Sequence, residues 1–212
     1  MGNFPNLETL HVQNGTFTTL DVSKNTKLRE LSCYDNKLKI LDLTNNLELE
    51  VLNCSLGEIE SIILGDKPNL TALMCGGNRL TTLDLSGCYN LTQLDCRDNL
   101  LTEIDISSIP DIYHFACTDN QFETLDVSKN LKLKSLFCNN NRLLKSINVS
   151  NNMLLEFIVC HNTNITTLDV SNNLQLRGLE CLSNANLAIV YFKTGQTVQH
   201  VIKDPHTTIV YK

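Results

Sequence analysis

LRELSCYDNKLKILDLTNN, residues 28–46, reads as two short apolar phrases set end to end. Leu28, Leu31 and Cys33 are closed by Asn36, and Leu38, Leu41 and Leu43 are closed by Asn46. The frame then repeats. Cys33, Cys54, Cys75, Cys96, Cys117, Cys138, Cys160 and Cys181 are separated by 21, 21, 21, 21, 21, 22 and 21 residues, and a fixed period of that length marks a stack of like coils. Each cysteine follows a large apolar residue by two positions: Leu31, Leu52, Leu73, Leu94, Phe115, Leu136, Ile158 and Leu179. Val12 holds the cysteine's place in a leading, incomplete turn.

The second phrase runs from Phe17-x-x-Leu20-Asp21-Val22-Ser23 to Ile165-x-x-Leu168-Asp169-Val170-Ser171, so every coil has two apolar edges. Side chains on a strand alternate between faces, which places a short strand at each phrase with Leu31 and Cys33 pointing inward. Coils stacked roughly 4.8 Å apart make a parallel sheet and bury their leucines only against neighbouring coils. A coil this short has little room for a full helix, so the return side is expected to be extended or a brief 3₁₀ turn. Asn36, Asn78, Asn99, Asn120, Asn141 and Asn184 close the cysteine phrase; Asn25, Asn46, Asn130, Asn152 and Asn173 close the other. An amide both donates and accepts, which suits a buried stack that satisfies the backbone at the bends.

The phrase Leu-x-x-Leu-x-Cys-x-x-Asn-x-Leu-x-x-Leu-Asp-Val-Ser-x-Asn resembles the 21-residue repeats of bacterial surface leucine-rich-repeat proteins, including internalins with one cysteine per repeat in a core ladder. The resemblance extends over about Leu7 to Asn186. It implies a leucine-rich-repeat solenoid of the α/β class, a right-handed superhelix with its parallel β-sheet on the concave face and very little helix. It also implies an extracellular or cell-surface location. Some coils depart from the pattern: Gly57 and Thr163 replace the first Asn, Ile63 and Asn148 the Asp, and Lys67, Cys88 and Ile109 the second Asn. Those coils are expected to bend or loosen. The stretch before Leu7 lacks a helical cap pattern, so the first coil is expected to be open and to offer a surface for association. After Leu187 the period stops, and residues 188–193 and 207–212 alternate apolar and polar around Gly195 and Asp204-Pro205. The expected division is therefore repeats over 1–187 and a strand-rich C-terminal β cap over 188–212, packed on the last coil within one structural domain. Such caps prevent edge-to-edge association.

The 212 residues are 42% apolar and 19% charged, as in a globular domain, with 17 basic against 23 acidic residues and a net charge of -6. That balance lacks the basic footprint of a nucleic-acid binder. No run reaches the roughly 20 apolar residues of a membrane span, and the first residues lack the basic-then-apolar layout expected of a signal peptide. Met1-Gly2 leads at once into repeat sequence, as a start placed on a trimmed protein would, so export stays open.

Eight of the nine cysteines are rungs and no C-x-x-C pair occurs; free, buried thiols are expected, with Cys88 structural at an Asn position. His114 and His161 neighbour Cys117 and Cys160 in sequence, but strand parity turns the imidazoles outward and the thiols inward, which rules out a Cys/His nucleophile pair. Asp21, Asp42, Asp84, Asp105, Asp126 and Asp169 form a column of like charges. Either each carboxylate accepts backbone or hydroxyl hydrogen bonds at its own bend, or the column holds calcium, which wants six to eight oxygens. The first reading is preferred; no metal or cofactor is expected.

Packing already explains what repeats, so the outward positions that vary between coils carry the information about partners. They vary on the cysteine phrase far more than on the Asp phrase. The binding residues expected on the concave face are Tyr34, Met74, Arg97, His114, Phe137, Phe157, Val159, His161 and Leu182, with the aromatic and apolar ones among His114 to Leu182 clustering across neighbouring coils. The function read from this is a binding module for a protein or a glycan, with a structural spacer as the alternative. An enzyme is not expected, because no outward nucleophile, base and orienter converge and no glycine-rich phosphate loop exists.

Overall fold

The computed structural model describes residues 4–212; the reading of Met1-Gly2 falls outside them. Seventeen short strands follow one another with no helix among the described residues. The first nine are β1 (Thr9–His11), β2 (Glu30–Ser32), β3 (Ile40–Asp42), β4 (Val51–Asn53), β5 (Ser61–Ile63), β6 (Ala72–Met74), β7 (Gln93–Asp95), β8 (His114–Ala116) and β9 (Leu125–Asp126). The rest are β10 (Ser135–Phe137), β11 (Ile147–Asn148), β12 (Phe157–Val159), β13 (Thr167–Asp169), β14 (Gly178–Cys181), β15 (Ile189–Phe192), β16 (His200–Lys203) and β17 (Thr208–Tyr211).

The cysteine phrases form one ten-stranded sheet in the order β1-β2-β4-β6-β7-β8-β10-β12-β14-β16. Every pairing in it is parallel and in register, as in Leu31 against Leu52 and Leu136 against Ile158. The Asp phrases behave differently: only β3–β5, β9–β11 and β13–β15–β17 pair. The sequence expects a strand at every phrase, but the coils around Leu20, Leu83 and Ile104 have none there. Between the sheets Leu28, Leu31, Leu38, Leu41 and Leu43 and most of their equivalents are almost wholly buried, as are all nine cysteines, which are free thiols; Phe17, in the place of Leu38, is 49% exposed and Ile104, in the place of Leu41, is partly buried. At the start of the stack Leu7, Val12 and Leu20 are only partly covered.

The asparagines explain why each coil turns where it does. The Nδ2 of Asn99 donates to the carbonyl oxygens of Cys96 in its own coil and Cys75 in the one before, both at 3.1 Å, while its Oδ1 accepts the Leu80 N–H at 3.0 Å. Asn78, Asn120 and Asn141 repeat this. On the other edge Asn46, Asn130, Asn152 and Asn173 each donate to two carbonyls of the preceding coil. Just before each Asn of the cysteine edge, or the Gly57 or Thr163 that replaces it, the backbone is left-handed: Asp35, Leu56, Gly77, Asp98, Asp119, Asn140, Asn162 and Ser183 have φ from 52° to 68°. Asp and Asn tolerate that region and Gly favours it.

The irregular coils hold their register. Ile63 and Asn148 lie in β5 and β11, which are properly paired. Thr163 takes over from Asn by donating its N–H and hydroxyl to Asn184 Oδ1, each at 2.7 Å, and Lys67, fully buried in an Asn place, donates to the carbonyls of Leu64 and Asp66. At Thr163 and Lys67 the substitute still hydrogen-bonds at the bend, whereas the coils that carry Cys88 and Ile109 form no strand on the Asp edge.

The strand-rich segment after residue 188 is added in the same parallel register. β15 extends β13, β16 extends β14, and Lys203 falls opposite Cys181. Its polar residues finish the ladders: Asp204 accepts the N–H groups of Ser183 and Asn184 at 3.0 and 2.8 Å, and Gln196 donates to the carbonyls of Val170 and Asn173.

Candidate binding face

Register in the ten-stranded sheet sets its outward side chains in columns. One runs Ser32, Asn53, Met74, Asp95, Ala116, Phe137, Val159, Glu180 and Ile202; its neighbour runs Glu30, Val51, Ala72, Gln93, His114, Ser135, Phe157, Gly178 and His200. The columns bring Phe137 beside Val159, and set the His114 and Phe137 rings 5.4 Å apart at 48°. Phe157 is 42% exposed and leans over Gly178, where an added Cβ would stand 2.9 Å from the ring. A smaller residue could not be placed there, and any larger one would push the ring away.

The remaining predicted residues spread around this centre. His161 and Leu182 lie toward the C-terminal side and are tied together: the Leu182 N–H donates to His161 Nδ1 at 2.9 Å, so the proton sits on Nε2, which donates to Glu180 at 3.1 Å. His200 approaches the other oxygen of Glu180 at 3.5 Å. Arg97 lies on the N-terminal side, its guanidinium 2.8 Å from Asp95. Met74 stands between Asn53 and Asp95, and Tyr34 lies further along, receiving a 3.3 Å hydrogen bond from Asn14. The cluster therefore contains His114, Phe137, Phe157, Val159, His161 and Leu182, and Tyr34 and Met74 are apart from it.

Sequence reasoning left Asp95, Ala116, Thr118, Asn139, Glu180 and His200 out of the site. Strand parity marks the outward ones, but their types are ordinary for a surface, and only register shows that Asp95 and Ala116 flank the aromatic pair.

Burial, opposed by the Asp95 charge, pushes the His114 pKa down and keeps its ring neutral. Cys117 and Cys160 lie inside with pKa values pushed up by burial, while His114 and His161 face outward. On the opposite edge, each Asp of the column accepts a hydrogen bond at its own bend, as when the N–H groups of Ser23, Thr44 and Ser86 donate to Asp21, Asp42 and Asp84 at 2.9 to 3.0 Å. Among the described residues no group of three or more His, Cys, Asp or Glu side chains is arranged to hold a metal ion. None of their helices is long and apolar enough to cross a membrane.

A family model for leucine-rich repeats, two copies, matches residues 68–110. No curated protein matches the chain. Among solved structures, the functional domain of InlJ from Listeria monocytogenes, which includes a cysteine ladder, is similar over 97% of this chain and 55% of that one, at 22% identity and a TM-score of 0.74. YopM from Yersinia enterocolitica is similar over 97% and 51%, at 20% identity and 0.66. A leucine-rich-repeat protein of Leptospira interrogans is similar over 99% and 73%, at 16% identity and 0.63. The fold is a leucine-rich-repeat solenoid, and the chain spans about half the length of the InlJ and YopM chains.

Proposed function

We propose that this chain is a binding module that holds a protein or a glycan on the outward face of its ten-stranded sheet, outside a bacterial cell or on its surface, with residues 188–212 serving as its C-terminal cap. One observation carries the reading. Register brings His114, Phe137, Phe157 and Val159 onto three neighbouring strands, with His114 against Phe137 and Phe137 beside Val159, in a sheet whose other outward residues are mostly small or polar. Exposed aromatics gathered in this way are the usual anchors of an interface, where a few residues supply most of the binding energy. A spacer needs no such cluster. The fold supports the reading at a coarser level, since one scaffold serves many binders and the residues of its face decide among them.

The test is a screen of purified extracellular proteins and immobilised glycans against the wild-type chain, a Phe137→Ala/Phe157→Ala variant and an Ile40→Ser control on the opposite edge. A ligand bound by the first and third and weakened at least tenfold in the second is the expected result. A ligand lost only in the Ile40 variant places the site on the other edge, and no ligand at all returns the chain to a spacer.

A further inference from the structure

Resting on the reading of the ten-stranded sheet as a binding face, we propose that the depression above Ala116 is a subsite for one neutral sugar residue of a glycan. The hollow arises from register. Ala116, 7% exposed, stands in its column between the larger Asp95 and Phe137, so its methyl group forms a floor between two walls. About 350 Å³ of open space lies above it, at the small end of the roughly 300–1,000 Å³ of ligand sites and fit for a single ring.

The lining is electrically neutral. The Asp95 carboxylate and the Arg97 guanidinium cancel across 2.8 Å, and burial keeps His114 uncharged. Phosphate, carboxylate and ammonium groups therefore find no counter-charge. Hydrogen-bonding capacity of both kinds remains. Asn139 Oδ1 accepts the Thr118 hydroxyl at 2.8 Å, which orients the amide and leaves its Nδ2 with no partner among the described residues. Arg97 keeps N–H groups beyond those used on Asp95, the carboxylate keeps lone pairs, and His114 offers one donor and one acceptor. Phe137 closes one side as an aromatic wall. A neutral pyranose has the complementary make-up: hydroxyls that donate and accept around its rim, and a C–H face for a ring and a methyl floor.

The experiment is saturation-transfer NMR on the whole chain with the methyl glycosides of glucose, galactose, mannose, N-acetylglucosamine and N-acetylgalactosamine as probes. It is repeated with Ala116→Leu, which fills the hollow, with Asn139→Ala, and with Ile40→Ser on the opposite edge; thermal melts establish that each variant is folded. At least one glycoside is expected to bind with a Kd on the order of millimolar, weakened tenfold or more by Ala116→Leu and Asn139→Ala and less than twofold by Ile40→Ser. No glycoside whose binding depends on Ala116 overturns the proposal, as does Ala116-dependent binding of an amino-acid amide from a control panel in place of any sugar. The wider reading fails separately: it is the Phe137→Ala/Phe157→Ala variant in the ligand screen that decides it, so a protein partner sensitive to that variant leaves the binding face standing while the sugar subsite falls.

Discussion

The amide nitrogen of Asn120 lies 3.0 Å from the carbonyl oxygen of Cys96, one coil earlier in the stack. The same side chain donates to Cys117 O at 3.2 Å and accepts the Leu101 N–H at 3.0 Å, so it joins two coils through three buried main-chain groups. Asn120→Ala strands the Leu101 N–H at a cost of about 1–3 kcal/mol, and removes one of two bonds from each carbonyl at about 1 kcal/mol apiece, since Asn99 still reaches Cys96 O and Asn141 still reaches Cys117 O. The loss expected from urea denaturation is about 3 kcal/mol or more. Asn120→Thr is expected to lose less, because Thr163 already stands in such a place and its hydroxyl keeps the bond to its own coil's cysteine carbonyl, Cys160 O, at 3.5 Å.

The thiols are inert while the chain is folded. Burial pushes Cys33 and Cys138 up to about 12, and Cys88 and Cys181 up to about 11. At pH 8 an Ellman titration is expected to find almost no reactive thiol in the native chain and all nine cysteines in denaturant. A folded pKa above the unfolded value near 9.0 also means stability that is complete below pH 9 and lost as pH rises toward 11 to 12. Melting temperatures should fall through that window, and a flat profile would show that the rungs are solvated.

The Asp column has the opposite dependence. Hydrogen bonds from the Ser86 and Ser107 N–H groups, then from their hydroxyls, hold Asp84 and Asp105 below the ordinary carboxylate value; for Asp126 the Ser128 hydroxyl leads. Depressed folded pKa values give stability that is present above the unfolded value of 3.8 and lost as pH falls below it. The Asp84→Asn/Asp105→Asn/Asp126→Asn variant should melt below wild type at pH 7, with the gap closing as pH falls below 3.8. A gap that persists at low pH would mean the carboxylates act by packing.

Leu56 occupies the left-handed place that Asp, Asn, Gly and Ser hold on other coils, with φ 57° and its side chain 63% exposed. Such a backbone costs an L residue of this kind roughly 1–2 kcal/mol, and Asn bears it better. Leu56→Asn is expected to stabilise the chain by about 1 kcal/mol, read as a higher midpoint in urea. An unchanged or lower midpoint would mean that the contact of Leu56 with Gly77 outweighs the strain.

The period was legible because packing wrote it. Leu31, Cys33 and Asn36 recur wherever a coil must bury a face and end a strand, and the structure has them in those roles. The column at Asp35, Leu56 and Gly77 was not singled out, since its shared property is a backbone angle that unlike residues adopt. Pairing on the Asp edge was not legible either: Leu20 and Leu41 sit in the same phrase, yet only Leu41 lies in a strand. On the face, Phe137 and Phe157 were visible as outward aromatics. The hollow at Ala116 was not, because a small residue becomes a floor only once register shows what stands on either side.

The central claim is that the outward face of the ten-stranded sheet binds another macromolecule. It is tested most directly by biolayer interferometry of wild type, Phe137→Ala/Phe157→Ala and Ile40→Ser against whichever purified extracellular proteins and glycans the wild type retains. Affinity lost at least tenfold in the double variant and kept in Ile40→Ser is the predicted result; equal affinity in all three, with each variant folded, would contradict the claim.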